Sequence, residues 1–285
     1  MRTKLLFGIL LLVSIISFMS CDDDHSENKP LEPFQIEKQS YEVIKDGYTH
    51  IYILNGSGKI NFSIEDPQII DASYQEGTSD NSILGIVRIE GKQKGETRIT
   101  LTDPTTQETE ILKMKVIDRY LVYGIEESNH PALKSNIVMY LINNEKRDCY
   151  FFPYVDSEHK VSNKLIARGT YDFSVKTEHG TEVLAIPYLT LTYPADEKGN
   201  FTDATIPPTP HEFRFMMEEG ATSYAVLGLI QHYLNVDWEA LTPKDTSTRN
   251  DIIISPTLKM TVDDTNYSIT GTFNSIPAIP EGTLD

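Results

Sequence analysis

A chain of 285 residues, 39% hydrophobic and 24% charged, suits one large domain or two ordinary ones, each able to bury its own core. Its 25 basic and 42 acidic side chains leave a net charge of −17, which excludes nucleic-acid binding built on Lys/Arg clusters. Two cysteines exclude a disulfide-dense scaffold and a cysteine-rich zinc module.

Arg2 and Lys4 precede an uncharged, largely apolar run from Leu5 to Phe18. That run is too short for a bilayer core, which needs about 20 residues. A charged start, a short apolar middle and small residues at the end make a secretory signal over residues 1–20. Phe18-Met19-Ser20-Cys21 closes it and resembles the lipobox of bacterial lipoproteins, with Phe18 standing where that family usually has Leu. The resemblance implies that Cys21 is diacylated on sulfur and becomes the mature N-terminus. Residues 21–30 follow as a polar tether beginning Cys21-Asp22-Asp23-Asp24. An acidic run behind the lipidated cysteine resembles the surface-export signal of Bacteroidetes-type lipoproteins. It implies outer-membrane placement, either surface-exposed or facing the periplasm. Removing residues 1–20 takes away Arg2 and Lys4 and no acid, so the mature charge is −19. Anionic headgroups repel such a surface, and attachment therefore rests on acyl chains.

Residues 31–118 read as an all-β unit. Ile60, Phe62 and Ile64 alternate with polar neighbours, and Leu112, Met114 and Val116 alternate with Lys113 and Lys115, the period-two signature of half-buried strands. Asn55-Gly56-Ser57-Gly58, between Ile51–Leu54 and the strand of Ile60, Phe62 and Ile64, is a hairpin signal, and Asp103-Pro104-Thr105 marks another turn. The run from Ile89 to Asp103, with Gly91, Gly95, Thr97, Ile99 and Leu101, resembles the late strands of bacterial group 2 immunoglobulin-like domains. Asp46-Gly47-Tyr48-Thr49 matches an earlier turn of that family. The resemblance implies a β-sandwich used as a spacer or adhesion module on bacterial surfaces.

Residues 119–285 read as a larger β-rich domain, a sandwich or a small barrel of roughly eight or nine strands. Alternation runs through Tyr171/Phe173/Val175, Leu189/Leu191/Tyr193, Phe213/Phe215 and Leu258/Met260/Val262. Glu197-Lys198-Gly199-Asn200 is a turn, and Ile206–Pro210 reads as an extended linker excluded from a central strand by its prolines. One short helix is expected over Val236–Leu241, with Asp237 as its N-cap. The domain resembles lipocalin-like or sandwich domains of bacterial lipoproteins, which implies no functional residues.

No metal or cofactor site is expected. The seven histidines lack HxH and HExxH spacing, and His211-Glu212 on a strand would point to opposite faces. Asp196-Glu197 and Asp263-Asp264 lack the surrounding pattern of a calcium loop. No G-x-S-x-G elbow and no phosphate-binding glycine loop is present. Cys149, without an intrachain partner once Cys21 is acylated, reads as a small buried apolar residue or as a reactive thiol. Tyr150, Phe152 and Tyr154 share one strand face, with Cys149 and Phe151 on the other. They form either a doubly buried strand or, with Trp238, an aromatic platform for a sugar or a protein. The expectation is a non-catalytic lipoprotein, its Ig-like spacer presenting a domain that binds a glycan or protein partner. A structural or assembly role in the envelope is the alternative, and a β-rich enzyme comes third.

Overall fold

The computed structural model describes residues 31–285 except 78–81, 156–159, 180–182, 198–199, 203–204, 218–223, 244–253, 263–264 and 285. The signal segment 1–20, Cys21 and the tether to residue 30 lie outside the described residues, as do Lys198-Gly199 and Asp263-Asp264. The described chain is all-β, with sixteen strands and two helices.

Seven strands build the first domain. β1 (Ser40–Ile44), β7 (Thr109–Ile117), β6 (Gly95–Thr102) and β3 (Asn61–Ile64) form one sheet in that order. β2 (Tyr48–Ile53), β5 (Gly85–Gly91) and β4 (Ile70–Glu76) form the other. All neighbours are antiparallel except β1, which runs parallel to β7. Four strands face three in an immunoglobulin-like sandwich. Alternation decides its core: Ile51, Ile53, Val87 and Ile89 of one sheet meet Ile99, Leu101, Leu112, Met114 and Val116 of the other, none more than 1% exposed. Gly91 is required by close approach, because a Cβ there would stand 2.7 Å from the Ile44 carbonyl oxygen.

Only Asp118 and Arg119 separate β7 from β8 (Tyr120–Ser128). From there β9 (Ile137–Ile142), β10 (Asp148–Val155), β12 (Ala167–His179), β13 (Val183–Pro194), β14 (Pro208–Met217), β15 (Ile254–Val262) and β16 (Thr265–Asn274) follow one another antiparallel. β16 returns to pair with β8, and the sheet closes into an eight-stranded up-and-down barrel. The two-residue β11 (Lys160–Val161) pairs with the end of β10. Inward side chains fill the barrel, among them Tyr123, Met139, Phe151, Phe173, Leu191, Phe213 and Phe273. A bulge at Thr270/Gly271 adjusts the closing seam, where a Cβ on Gly271 would stand 2.2 Å from the Gly124 carbonyl oxygen.

Three local expectations change. Asn55-Gly56-Ser57-Gly58 closes no hairpin: β2 pairs with β5 and β3 with β6, so the turn carries the chain from one sheet to the other. Pro208-Thr209-Pro210 opens β14 instead of serving as a linker, pairing with β13 through Pro194↔Pro208 and Thr192↔Pro210. β14 meets β15 only from Arg214 onward, so its first half is an edge, where a missing N–H breaks no second ladder. A helix also appears that alternation did not announce. α1 (Tyr224–Leu234) buries Val226, Ile230 and Leu234, four residues apart, against one end of the barrel core. The expected helix is α2 (Trp238–Leu241), with the Asp237 side chain accepting from the Ala240 N–H at 3.0 Å.

The outer faces of β8, β9 and β10 are covered. The C-terminal segment 275–284 crosses them, burying Ile279 and Leu284 with Ile117, Tyr120, Val122, Val138, Tyr140, Ile142 and Phe152. Ile44 of the sandwich packs on the same cluster. The Tyr140 hydroxyl donates to the Ala278 carbonyl at 3.1 Å, and the Ile279 N–H donates to the Tyr120 oxygen at 3.2 Å. Lys38 pairs with Glu281 at 3.4 Å. Arg119 joins the Asp46 carboxylate of the sandwich to the His232 carbonyl at the end of α1, the latter at 2.6 Å. The domains therefore share a buried joint.

Candidate binding face

The four aromatic residues singled out in the distal domain do not come together at a solvent-facing surface. Phe152 is 2% exposed and meets Tyr140 edge-on at 5.8 Å, and Tyr150 and Tyr154 pack half-buried on the same cluster. Trp238 lies apart from them, half-buried and edge-on to Phe173 at 5.5 Å, its indole N–H donating to the Leu227 carbonyl at 3.1 Å. The joint and the barrel end take these rings as packing. Cys149 points into the barrel, fully buried, and burial pushes its thiol pKa up, which keeps it protonated.

The exposed rings lie in the sandwich. In β2, Ile51 and Ile53 point inward, so Tyr48, His50 and Tyr52 point out. Tyr48 is 59% and Tyr52 48% exposed. Successive ring centroids stand 5.2 and 6.2 Å apart, one line along the strand. Strand register places polar groups beside each ring. Tyr48 stands across from Glu90 and then Asp71, His50 from Arg88 and Ser73, and Tyr52 from Ile86 and Gln75. The Arg88 guanidinium lies 4.6 Å from the Tyr48 ring centroid and 3.6 Å from Glu90. Lys92 pairs with Asp71 at 3.1 Å; that bond and the Ala72 N–H hold the Asp71 carboxyl below its usual range. The alternation Tyr-x-His-x-Tyr was the available sequence signal for this face.

A second arrangement lies inside the barrel. His130 and His211 are 0% and 4% exposed, and neither Nε2 has a hydrogen-bond partner. His130 Nδ1 accepts from the Ala132 and Leu133 N–H groups at 3.2 and 3.1 Å, so the neutral ring carries its proton on Nε2. A metal on that Nε2 would need the proton on Nδ1, facing two donors, and the donor set does not fit one. Among the described residues no group of three or more His, Cys, Asp or Glu could hold a metal ion. Where β14 parts from β15 there is a cleft of about 750 Å³, lined in part by Tyr188, His211, Arg214, Lys259 and Met260. Two of its lining groups are engaged by Glu178: Arg214 clasps that carboxylate at 2.7 and 2.8 Å, and the Tyr188 hydroxyl donates to it at 2.7 Å. Those bonds, foremost Arg214, hold the Glu178 carboxyl down to about 2 against its partial burial.

No protein-family model and no curated protein matches the chain. Among solved structures it is similar to domains of the S-layer protein SbsC. Domains 5–6 align at 14% identity over 65% of this chain and 96% of that one, with a TM-score of 0.26. Domains 4–9 align at 13% over 65% and 31%, with a TM-score of 0.24. Domains 4 and 5 align at 18% identity over 30% of this chain, which spans 51% of that structure's length, with a TM-score of 0.23. Superpositions of that quality carry no conclusion about role.

Proposed function

We propose that this is a non-catalytic lipoprotein of the bacterial outer membrane, anchored through Cys21, which holds out a binding face on a rigid two-domain body. The joint carries this reading. Two domains separated by only Asp118 and Arg119 bury Ile44, Ile117, Tyr120, Tyr140, Ile279 and Leu284 together, which suits a body that presents a surface at a fixed orientation. Lipidation is supported by the basic start, the short apolar run and Ser20-Cys21, and the tether spaces the sandwich from the membrane. The filled barrel is then a packed module, and the exposed rings of β2 are the surface offered. A second reading, assembly by strand addition, draws on β2 pairing only with β5 among the described strands.

Cell fractionation with metabolic fatty-acid labelling tests the anchor. The wild type should label and sediment with outer membranes, while Cys21→Ser should appear unlabelled, in the soluble fraction or as uncleaved precursor. An unlabelled wild-type protein with its mature N-terminus elsewhere would overturn the reading.

A further inference from the structure

We propose that Tyr48, His50 and Tyr52 form a carbohydrate-binding face for an extended, neutral polysaccharide of pyranose rings. This names a ligand class for the display role proposed above and rests on it.

The three rings form a line, one at every second residue of a single strand, with centroid steps of 5.2 and 6.2 Å. Successive ring planes are inclined by 43° and 66°, so the rings make a twisted platform and not a flat one. The centroid steps are comparable with the advance per ring in an extended sugar chain. Pyranoses present C–H groups on their faces and hydroxyls at their rims. Their faces stack on aromatic rings, and their hydroxyls need donors and acceptors alongside. The neighbouring strands supply these from Glu90, Arg88, Ser73, Gln75 and Asp71, all exposed. Charge complementarity sets the class. Arg88 is paired with Glu90 and Lys92 with Asp71, so this face is locally balanced in a chain of net charge −17. A polyanion would meet the repulsion of the whole molecule and find, among the described residues of the face, no uncompensated cation to offset it. Preorganisation favours binding too, because the sheet is fixed from behind by Ile51, Ile53, Val87 and Ile89, each no more than 1% exposed.

Affinity electrophoresis of the mature chain, residues 21–285 produced unlipidated, would use gels containing laminarin, xylan, mannan or galactan, with polygalacturonate as the acidic comparison. At least one neutral polymer should retard the protein. Tyr48→Ala and Tyr52→Ala should each weaken that retardation about tenfold or more, with an unchanged melting temperature. Ile111→Ala, on the other sheet and 56% exposed, should bind as wild type. No retardation by any neutral polymer, retardation by polygalacturonate alone, or full binding by a Tyr48→Ala/Tyr52→Ala double variant would overturn the proposal. These outcomes do not depend on lipidation, so failure here and failure of the anchor are distinguishable.

Discussion

The His130 ring is wholly buried beside Phe213 and Tyr267, with centroids at 5.7 and 5.3 Å, and its Nδ1 holds two backbone N–H groups of the following loop. Burial, then neighbouring His211 and Lys134, lower its pKa from 6.5 to about 4. The unfolded chain therefore takes up a proton below pH 6.5 that the folded chain refuses until about pH 4. This contribution to stability is complete above pH 6.5, shrinks as the pH falls and levels off below about 4, with a limiting slope of about 1.4 kcal/mol per pH unit. Burial lowers the His211 pKa as well, and its effect has the same sign. Urea midpoints between pH 7.5 and 4 should show the fall. His130→Asn, which keeps an acceptor near the Nδ1 position, should flatten it, and an unchanged slope would assign the effect elsewhere. Neither histidine was legible as a buried group, because nothing local marks which ring a closing barrel will enclose. Asp103 makes the same point. It is visible in sequence as a turn residue, yet its carboxylate crosses 46 positions to the Ser57 N–H and hydroxyl at 2.6 and 2.7 Å.

At the scale of the element, period-two alternation announced the strands on both sides of residue 119 and left their sidedness open. In β2 both sets, Tyr48/His50/Tyr52 and Ile51/Ile53, are large, and only the opposite sheet decides which set is core. In β10 the outer set Tyr150/Phe152/Tyr154 is covered by β9 neighbours and by chain more than a hundred residues later. No local pattern carries that. α1 was hidden for a different reason: Val226, Leu227, Leu229 and Ile230 make a short apolar run that suits a buried strand as well as a helix. The two aromatic sets therefore differ in a measurable way. Phe152→Ala should cost about 3–5 kcal/mol of stability, as a buried ring does. Tyr52→Ala, half exposed, should stay within about 0.5 kcal/mol of wild type. Equal losses in chemical denaturation would contradict the burial that separates them.

For the whole molecule, the last residues of the chain do work that neither domain does alone. Segment 275–284 leaves β16, lies over β8, β9 and β10, and ends beside β1, where the Gly282 N–H reaches Glu42 at 3.4 Å and Glu281 reaches Lys38. Without it, Val122, Val138 and Tyr140 would present their outer faces to water, and among the described residues the sandwich would meet the barrel through Ile44 and Ile117 in the apolar cluster and through Asp46 on Arg119. Burying Ile279 and Leu284 stabilises the joint by about 1.5–3 kcal/mol each, and the segment ties the stability of the barrel to that of the sandwich. Calorimetry of the mature chain should thus show one transition. A chain ending at Asn274 should show two, the barrel transition shifted down and the sandwich, which keeps its own core around Ile51, Ile89 and Leu112, nearly unmoved. A single transition at the wild-type temperature after truncation would mean that the joint holds through Ile44, Ile117 and Arg119 and that the C-terminal segment is only a cover.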